Sequence, residues 1–179
     1  LDSDYVRGMV VDSSGAVLVS GYSYMGGGTN ANFSTIKYSS GGLPLWTNYF
    51  NGPANDNDTA LFIALDSADN IYVSGRSMGV GSGFDYLTIK YSPSGLPLWT
   101  NRFNDSANAT DIMNAMVTDG SGNVYVTGHS GSSSDYLSIK YSSAGVPQWT
   151  NRYNGPVSGA DSGKGIAVDS AGNVFVTGD

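Results

Sequence analysis

At 179 residues, with 40% hydrophobic and 13% charged residues, the chain has enough material for a single globular core and is not disordered by charge. The formal net charge of −7, set against eight singly scattered Lys and Arg, excludes nucleic acid and anionic membrane surfaces as natural partners. Without cysteine there can be no disulfide and no thiolate metal site, and no apolar run approaches the roughly 18 residues of a membrane span.

All 15 acidic residues are Asp, and Gly (25) and Tyr (12) are abundant. Glu favours helices, whereas Asp, Gly, Ser and Asn favour turns, so the composition predicts an all-β chain with many short turns. A chain beginning at Leu1 rather than Met is expected to be a processed or excised piece.

Read from the N-terminus, four markers recur in one phase. The first unit carries Asp4, then Asp12 opening a Gly-containing turn, then Ile36-Lys-Tyr-Ser, then Trp46-Thr-Asn behind Pro44. The second repeats them at Asp58, Asp66, Ile89, Pro97 and Trp99, and the third at Asp111, Asp119, Ile139, Pro147 and Trp149. Both the Ile and the Trp strings are spaced by 53 and then 50 residues. Asp161 and Asp169 open a fourth copy. The units are therefore 1–57, 58–110 and 111–160, with a partial unit at 161–179.

The third unit shows the expected elements. Residues 115–118 form a short strand, and Asp119-Gly-Ser-Gly has Asp and Gly at the outer positions of a type I turn. The β-branched and aromatic stretch 124–127 is a strand expected to end at Gly128. After a polar loop, 136–141 alternates with period two, a second turn follows at 142–145, and Pro147 opens a last strand through Tyr153. Proline cannot donate to a ladder, which places the fourth strand at the outer edge of its sheet. Asp69 replaces the turn glycine in the second unit; Asp tolerates the left-handed conformation, so the turn is expected to survive. Four strands and two tight hairpins per roughly 50 residues predict an all-β β-propeller of tandem four-stranded antiparallel blades, about three and a half of them here.

Asp-Ser-Ala-Gly-Asn-Val-Phe-Val-Thr-Gly (169–178), Asp-Tyr-Leu-Ser-Ile-Lys-Tyr-Ser (135–142) and Pro-Gln-Trp-Thr-Asn-Arg-Tyr-Asn-Gly (147–155) together resemble the bacterial SBBP-type (seven-bladed) β-propeller repeat. The resemblance implies exported or surface-associated bacterial proteins with tandem blades, and brings no family-wide catalytic residues. A closed ring needs four to eight blades. Either the chain belongs to a longer repeat protein, which the unsatisfied sheet edges favour, or chains associate to complete a ring.

No catalytic motif survives inspection. Gly75-Arg-Ser-Met-Gly79 has the spacing of a nucleophile elbow, but no helix follows, and the serine recurs as Ser23 and Ser130. His129 is the lone histidine, at a position held by Tyr22 and Arg76 in the other copies, and is expected in an exposed loop. Asn55-Asp-Asn-Asp58 offers oxygen ligands of the kind Ca²⁺ takes, with Asp56 and Asp58 the weak candidates, though a solvated turn explains them as well. Asp4, Asp58, Asp111 and Asp161 are expected to cap a loop or to pair with Lys37, Lys90 and Lys140 or with Arg102 and Arg152. The tryptophans are expected in core or interblade packing rather than on a sugar platform. Specific recognition should instead lie where copies differ, in the loops 24–31, 78–84 and 131–134 and in 51–57, 104–110 and 154–160. Tyr24, Phe84, Arg76 and His129 are the ligand-binding candidates. The expectation is a non-enzymatic scaffold or binding module for a protein or glycan partner, with a multivalent lectin or a self-assembling structural protein as alternatives.

Overall fold

The computed structural model describes residues 3–25, 29–157 and 159–179, and within them the chain is entirely strand and turn. The first blade comprises β1 (Asp4–Val11), β2 (Val17–Tyr24), β3 (Ala31–Tyr38) and β4 (Pro44–Phe50). The second comprises β5 (Asp58–Leu65), β6 (Ile71–Met78), β7 (Phe84–Tyr91) and β8 (Pro97–Phe103). The third comprises β9 (Ile112–Thr118), β10 (Val124–Ser130), β11 (Asp135–Tyr141) and β12 (Pro147–Tyr153). A two-stranded sheet, β13 (Gly163–Val168) with β14 (Val174–Gly178), follows. Each four-stranded sheet is an antiparallel meander in sequence order, so the proline-led strands β4, β8 and β12 are edges. The first strands of successive blades lie beside one another, which puts the proline-led edges on the outside.

The turn chemistry read from the sequence is present. Asp12 Oδ1 accepts the amides of Ser14 and Ala16, both at 2.9 Å, while Gly15 donates to the Asp12 carbonyl at 3.0 Å with φ +79°. Asp69 holds the same left-handed position at φ +58°, and its carboxylate also accepts the Ser13 amide of the preceding blade at 3.1 Å. The outer hairpins close alike: Gly95 donates to the Ser92 carbonyl, and Ser92 Oγ accepts the Leu96 amide at 3.1 Å.

One sequence expectation fails. The second strand does not end at Gly128 but runs on to Ser130, as β2 and β6 run past Gly21 and Gly75. The first strand of each blade bulges opposite this glycine, leaving Arg7, Leu61, Asn114 and Lys164 as the extra residues. The bulge drives a carbonyl into the place of a side chain: a Cβ on Gly75 would lie 2.0 Å from the Thr59 oxygen, and one on Gly128 2.0 Å from that of Ile112. Only glycine permits that approach, so it marks the bulge and not a strand end.

The core is divided among the seams between blades. Leu18 and Phe33 of the first blade meet Ile71, Val73, Leu87, Ile89 and Tyr91 of the second. Tyr72 and Tyr86 of the second meet Val124, Val126, Leu137, Ile139 and Tyr141 of the third. Each fully buried aliphatic or aromatic side chain in these seams contributes about 1.5–3 kcal/mol. Residues Ile71–Gly75 of β6 are all buried, because a middle blade is covered on both faces.

Candidate functional site

The second and third blades each carry a polar cluster at the end where β2-type strands turn into β3-type strands. In the second blade Asp58 is fully buried, and its Oδ2 accepts the amide of Gly52 at 2.6 Å, fastening the loop that joins the blades. Asp111 does the same for the Asp105 amide (3.1 Å) and also accepts from Gly131 (3.2 Å), and Asp161 accepts from Gly155 (2.8 Å). These carboxylates cap loops. The lysines pair elsewhere, Lys37 with Asp12 at 2.7 Å and Lys90 with Asp66 at 3.4 Å.

An ion pair stands beside the clamps of the second and third blades. Arg102 Nη1 lies 2.7 Å from Asp85 Oδ2 and donates to the Ser77 carbonyl at 3.0 Å, while Nη2 donates to Ser77 Oγ. Arg152 repeats this on Asp135 (3.5 Å) and on the Ser130 carbonyl (3.0 Å) and hydroxyl (2.8 Å). The serine of the elbow-like string thus lies within β6, buried under an arginine. Burial pushes the Asp58 and Asp111 carboxyls above the usual range, and the opposing hydrogen bonds from Ser77 and Gly52, or Ser130 and Asp105, do not fully offset it. At the first tight turns the balance reverses. Burial raises Asp66, but the bonds from Asn70, Ala68 and Tyr72 outweigh it and hold the carboxyl low.

The first blade departs from this plan. Asn32 and Tyr49 stand where the others have Asp and Arg, so the charged pair is missing. In its place Asn30, Asn32, Asn51 and Asn55, with Met25 and Thr29, line an open depression of about 310 Å³. Asn30 donates to the Asn55 carbonyl at 2.9 Å, and Asn51 Nδ2 lies 2.5 Å from Asn55 Oδ1. The neighbouring Tyr5, Tyr22 and Tyr24 form a ring cluster, Tyr5 stacked on Tyr22 at 4.9 Å and Tyr24 edge-on at 6.1–6.5 Å. Arg7 donates to the Tyr22 hydroxyl at 3.1 Å.

The four ligand-binding candidates are therefore strand residues and not loop residues. Tyr24 closes β2 and pairs with Ala31; Phe84 opens β7 and pairs with Met78. Arg76 stacks over the Phe84 ring at 4.6 Å. His129 is neither in a loop nor fully exposed: it lies in β10, half-buried, with Nδ1 3.1 Å from Ser162 Oγ of the next sheet. Burial and, secondarily, the Lys164 charge hold its pKa below the ordinary value. The strand extension beyond the repeat glycine is what moved all four. None of the four lines the asparagine depression, although Tyr24 directly precedes Met25, which does. Asp56 and Asp58 are not joined in a cation cradle: Asp56 Oδ1 accepts from Asn57 (2.7 and 2.9 Å), and Asp58 is the loop clamp. Among the described residues no three His, Cys, Asp or Glu side chains converge as metal ligands. The Asp–Arg pairs were missed, although the copies contain a signal for them. Asp and Arg are present together in two units and absent together in the first.

The tryptophans lie half-buried on the outer rim between blades. Trp46 Nε1 donates to the Pro93 carbonyl at 3.3 Å and Asn48 to that of Gly95 at 2.7 Å. Trp99 and Asn101 repeat this on Ser143 (3.1 Å) and Gly145 (2.7 Å).

A search of curated proteins returns no match. A family model described as the SBBP beta-propeller repeat matches residues 98–136 and 148–179. Each match begins within the proline-led outer strand of one blade and continues into the first strands of the next. Both span a loop clamp and a tight Asp turn, features that recur together in the second unit. Residues 98–136 and 148–179 are thus similar to the SBBP beta-propeller repeat, and the first two blades carry the same turn and strand markers.

Proposed function

We propose that the chain is a non-enzymatic binding scaffold of an exported or surface-associated bacterial protein, its rigid blades presenting the end of the first blade to a ligand. One observation carries this reading. In the second and third blades this end carries an Asp–Arg–Ser network, whereas the first blade has no such ion pair and Asn30, Asn32, Asn51 and Asn55 line an open depression there. The repeated carboxylates clamp backbone amides or pair with cations of their own blade, roles that hold the fold together. Amide groups around an open depression suit a neutral polar ligand rich in hydroxyl groups, and a glycan is the class proposed.

The test is a glycan array read with the intact chain and with Asn51→Ala and Asn32→Ala. Binding lost in both variants supports the glycan reading. Binding that survives both, or none in the parent, removes it and leaves a protein partner as the ligand. Turnover in a hydrolase and lyase screen, abolished by Asp-to-Asn changes, would overturn the non-enzymatic reading.

A further inference from the structure

The loop that joins one blade to the next begins with Asn-Gly in the first unit (Asn51, Gly52) and the third (Asn154, Gly155), and with Asn104-Asp105 in the second. The second residue of each pair gives its amide to the loop clamp: Gly52 to Asp58 Oδ2 at 2.6 Å, Gly155 to Asp161 Oδ2 at 2.8 Å, and Asp105 to Asp111 Oδ2 at 3.1 Å. Glycine permits the tighter fit. A Cβ on Gly52 would lie 2.6 Å from Ser77 Oγ and 2.7 Å from Asp58 Oδ1, and one on Gly155 2.8 Å from Asp161 Oδ1. The clamp is longest where a side chain follows the asparagine.

The same glycine makes the asparagine before it chemically labile. With no Cβ to hinder the approach, the backbone nitrogen that follows an asparagine can attack its side-chain Cγ and close a five-membered imide, which is one reason asparagine is thermolabile. The nitrogen's proton leaves with the side-chain NH2 as ammonia. Water then opens the ring at either carbonyl, giving aspartate or an isoaspartate whose main chain runs through the former side chain. In the first unit both reacting groups are held. The Gly52 amide is buried and committed to Asp58, and the Gly52 carbonyl accepts the Asn55 amide at 3.0 Å. Asn51 Nδ2 donates to Asn55 Oδ1 at 2.5 Å. A nitrogen fixed in this way neither gives its proton to water nor swings onto Cγ.

We propose that Asn51 and Asn154 are deamidation sites, with water as the only co-reactant, and that the Asp58 and Asp161 clamps hold each in its amide form. Gly155 is less buried than Gly52 and its clamp is longer, so Asn154 reacts before Asn51. Asn104 reacts last, because the Asp105 side chain crowds the attack. At Asn51 the exchange has a chemical consequence: this residue lines the first blade's depression, and its conversion sets a negative charge among Asn30, Asn32 and Asn55. The protection holds whether or not a glycan occupies that depression.

The test is incubation of the intact chain at neutral pH, warmed but below its melting transition, with peptide mapping by mass spectrometry. The readout at each asparagine is the mass gain that accompanies exchange of NH2 for OH. The chain unfolded in urea sets the unclamped rate. In the folded chain Asn51 should react about ten-fold or more slowly than in urea, with Asn154 between the two. Asp58→Ala should speed Asn51 about ten-fold and leave Asn154 unchanged, and Asp161→Ala should do the reverse. Asp58→Asn, which keeps a neutral acceptor for the Gly52 amide, should give an intermediate rate at Asn51. The untouched site in each variant separates release of one clamp from loss of the fold. Equal acceleration at both sites in all three variants would assign the protection to the fold as a whole and overturn the proposal. So would an Asn51 as reactive in the folded chain as in urea. An Asn51 rate that Asp58→Ala leaves unchanged, or lowers because the carboxylate had been drawing the proton off the amide, would overturn it too.

Discussion

The second and third seams carry matching residues on their leading side and differ in what lies opposite. Tyr72 and Tyr125 are both fully buried, and Phe175, at the equivalent place in the last sheet, is 60% exposed. Trp99 rests on Gly145 and bonds to Ser143, whereas Trp149 borders an open groove. The repeat thus specifies half-interfaces. A side chain becomes core only when the next copy presents its matching strands, as in other quasi-linear repeat proteins whose stability is a sum of unit and neighbour terms.

The sharpest way to break this comparison is to make one substitution at two equivalent places. Tyr72→Ala removes a buried ring and its hydrogen bond to the Gly122 carbonyl (2.6 Å), and should cost about 3–5 kcal/mol. Phe175→Ala should cost less than about 1 kcal/mol, since most of its ring is already in water. Urea melts of both variants measure the contrast. Equal losses would mean that burial in a seam does not set the energetics.

Next in size is the arginine pair. Arg102→Ala strands the buried Asp85 carboxylate and two groups of Ser77, and should cost about 2–4 kcal/mol. Arg152→Ala should cost less, because its side chain is 38% exposed and its carboxylate is 3.5 Å away rather than 2.7 Å. The first blade indicates how the cost can be lifted: Asp85→Asn with Arg102→Tyr copies its uncharged arrangement and should recover most of the loss. A double variant no more stable than Arg102→Ala would show that the pair has a role beyond neutralising Asp85.

The same reasoning separates what the sequence displays from what it conceals. Turn aspartates, edge prolines and the recurring tryptophans were legible because each acts within a few residues, or recurs where periodicity exposes it. The bulge was not legible, since one extra residue in a first strand leaves no mark on the repeat spacing. Gly128 therefore read as a strand end, and Tyr24, Arg76, Phe84 and His129 as loop residues. The Asp85–Arg102 contact joins residues 17 apart, and only comparison between copies could suggest it. The asparagine depression is visible only after folding, because it gathers residues from two separate loops.

The tryptophans give a smaller contrast. Trp99→Ala loses a half-buried ring, its contact with Gly145 and one hydrogen bond, and should cost about 2 kcal/mol. Trp149→Ala should cost about half of that or less, having no turn to rest on. Thermal melts of the paired variants measure the difference, and equal losses would mean that the contact with the turn contributes nothing.

The smallest expected effect concerns pH, where two sets of aspartates act in opposite directions. Asp12, Asp66 and Asp119 have folded pKa values below the ordinary 3.8, so their contribution is present above that value and fades as pH falls through the lower folded one. Asp58 and Asp111 have folded values above 3.8. The fold prefers them protonated, and they weaken it as pH rises through those values. Stability should therefore improve slightly as pH is lowered from neutral toward the raised carboxyls, then fall steeply below the ordinary carboxylate range. Asp58→Asn keeps an acceptor for the Gly52 amide but cannot ionise, so it should flatten the upper part of the curve and leave the acid limb intact. Asp66→Asn should instead soften the acid limb, because it deletes the carboxylate that serves Asn70, Tyr72 and Lys90. Melting temperatures from pH 3 to 7 would distinguish the two roles, and identical curves for both variants would mean that loop clamp and turn aspartate are not electrostatically distinct.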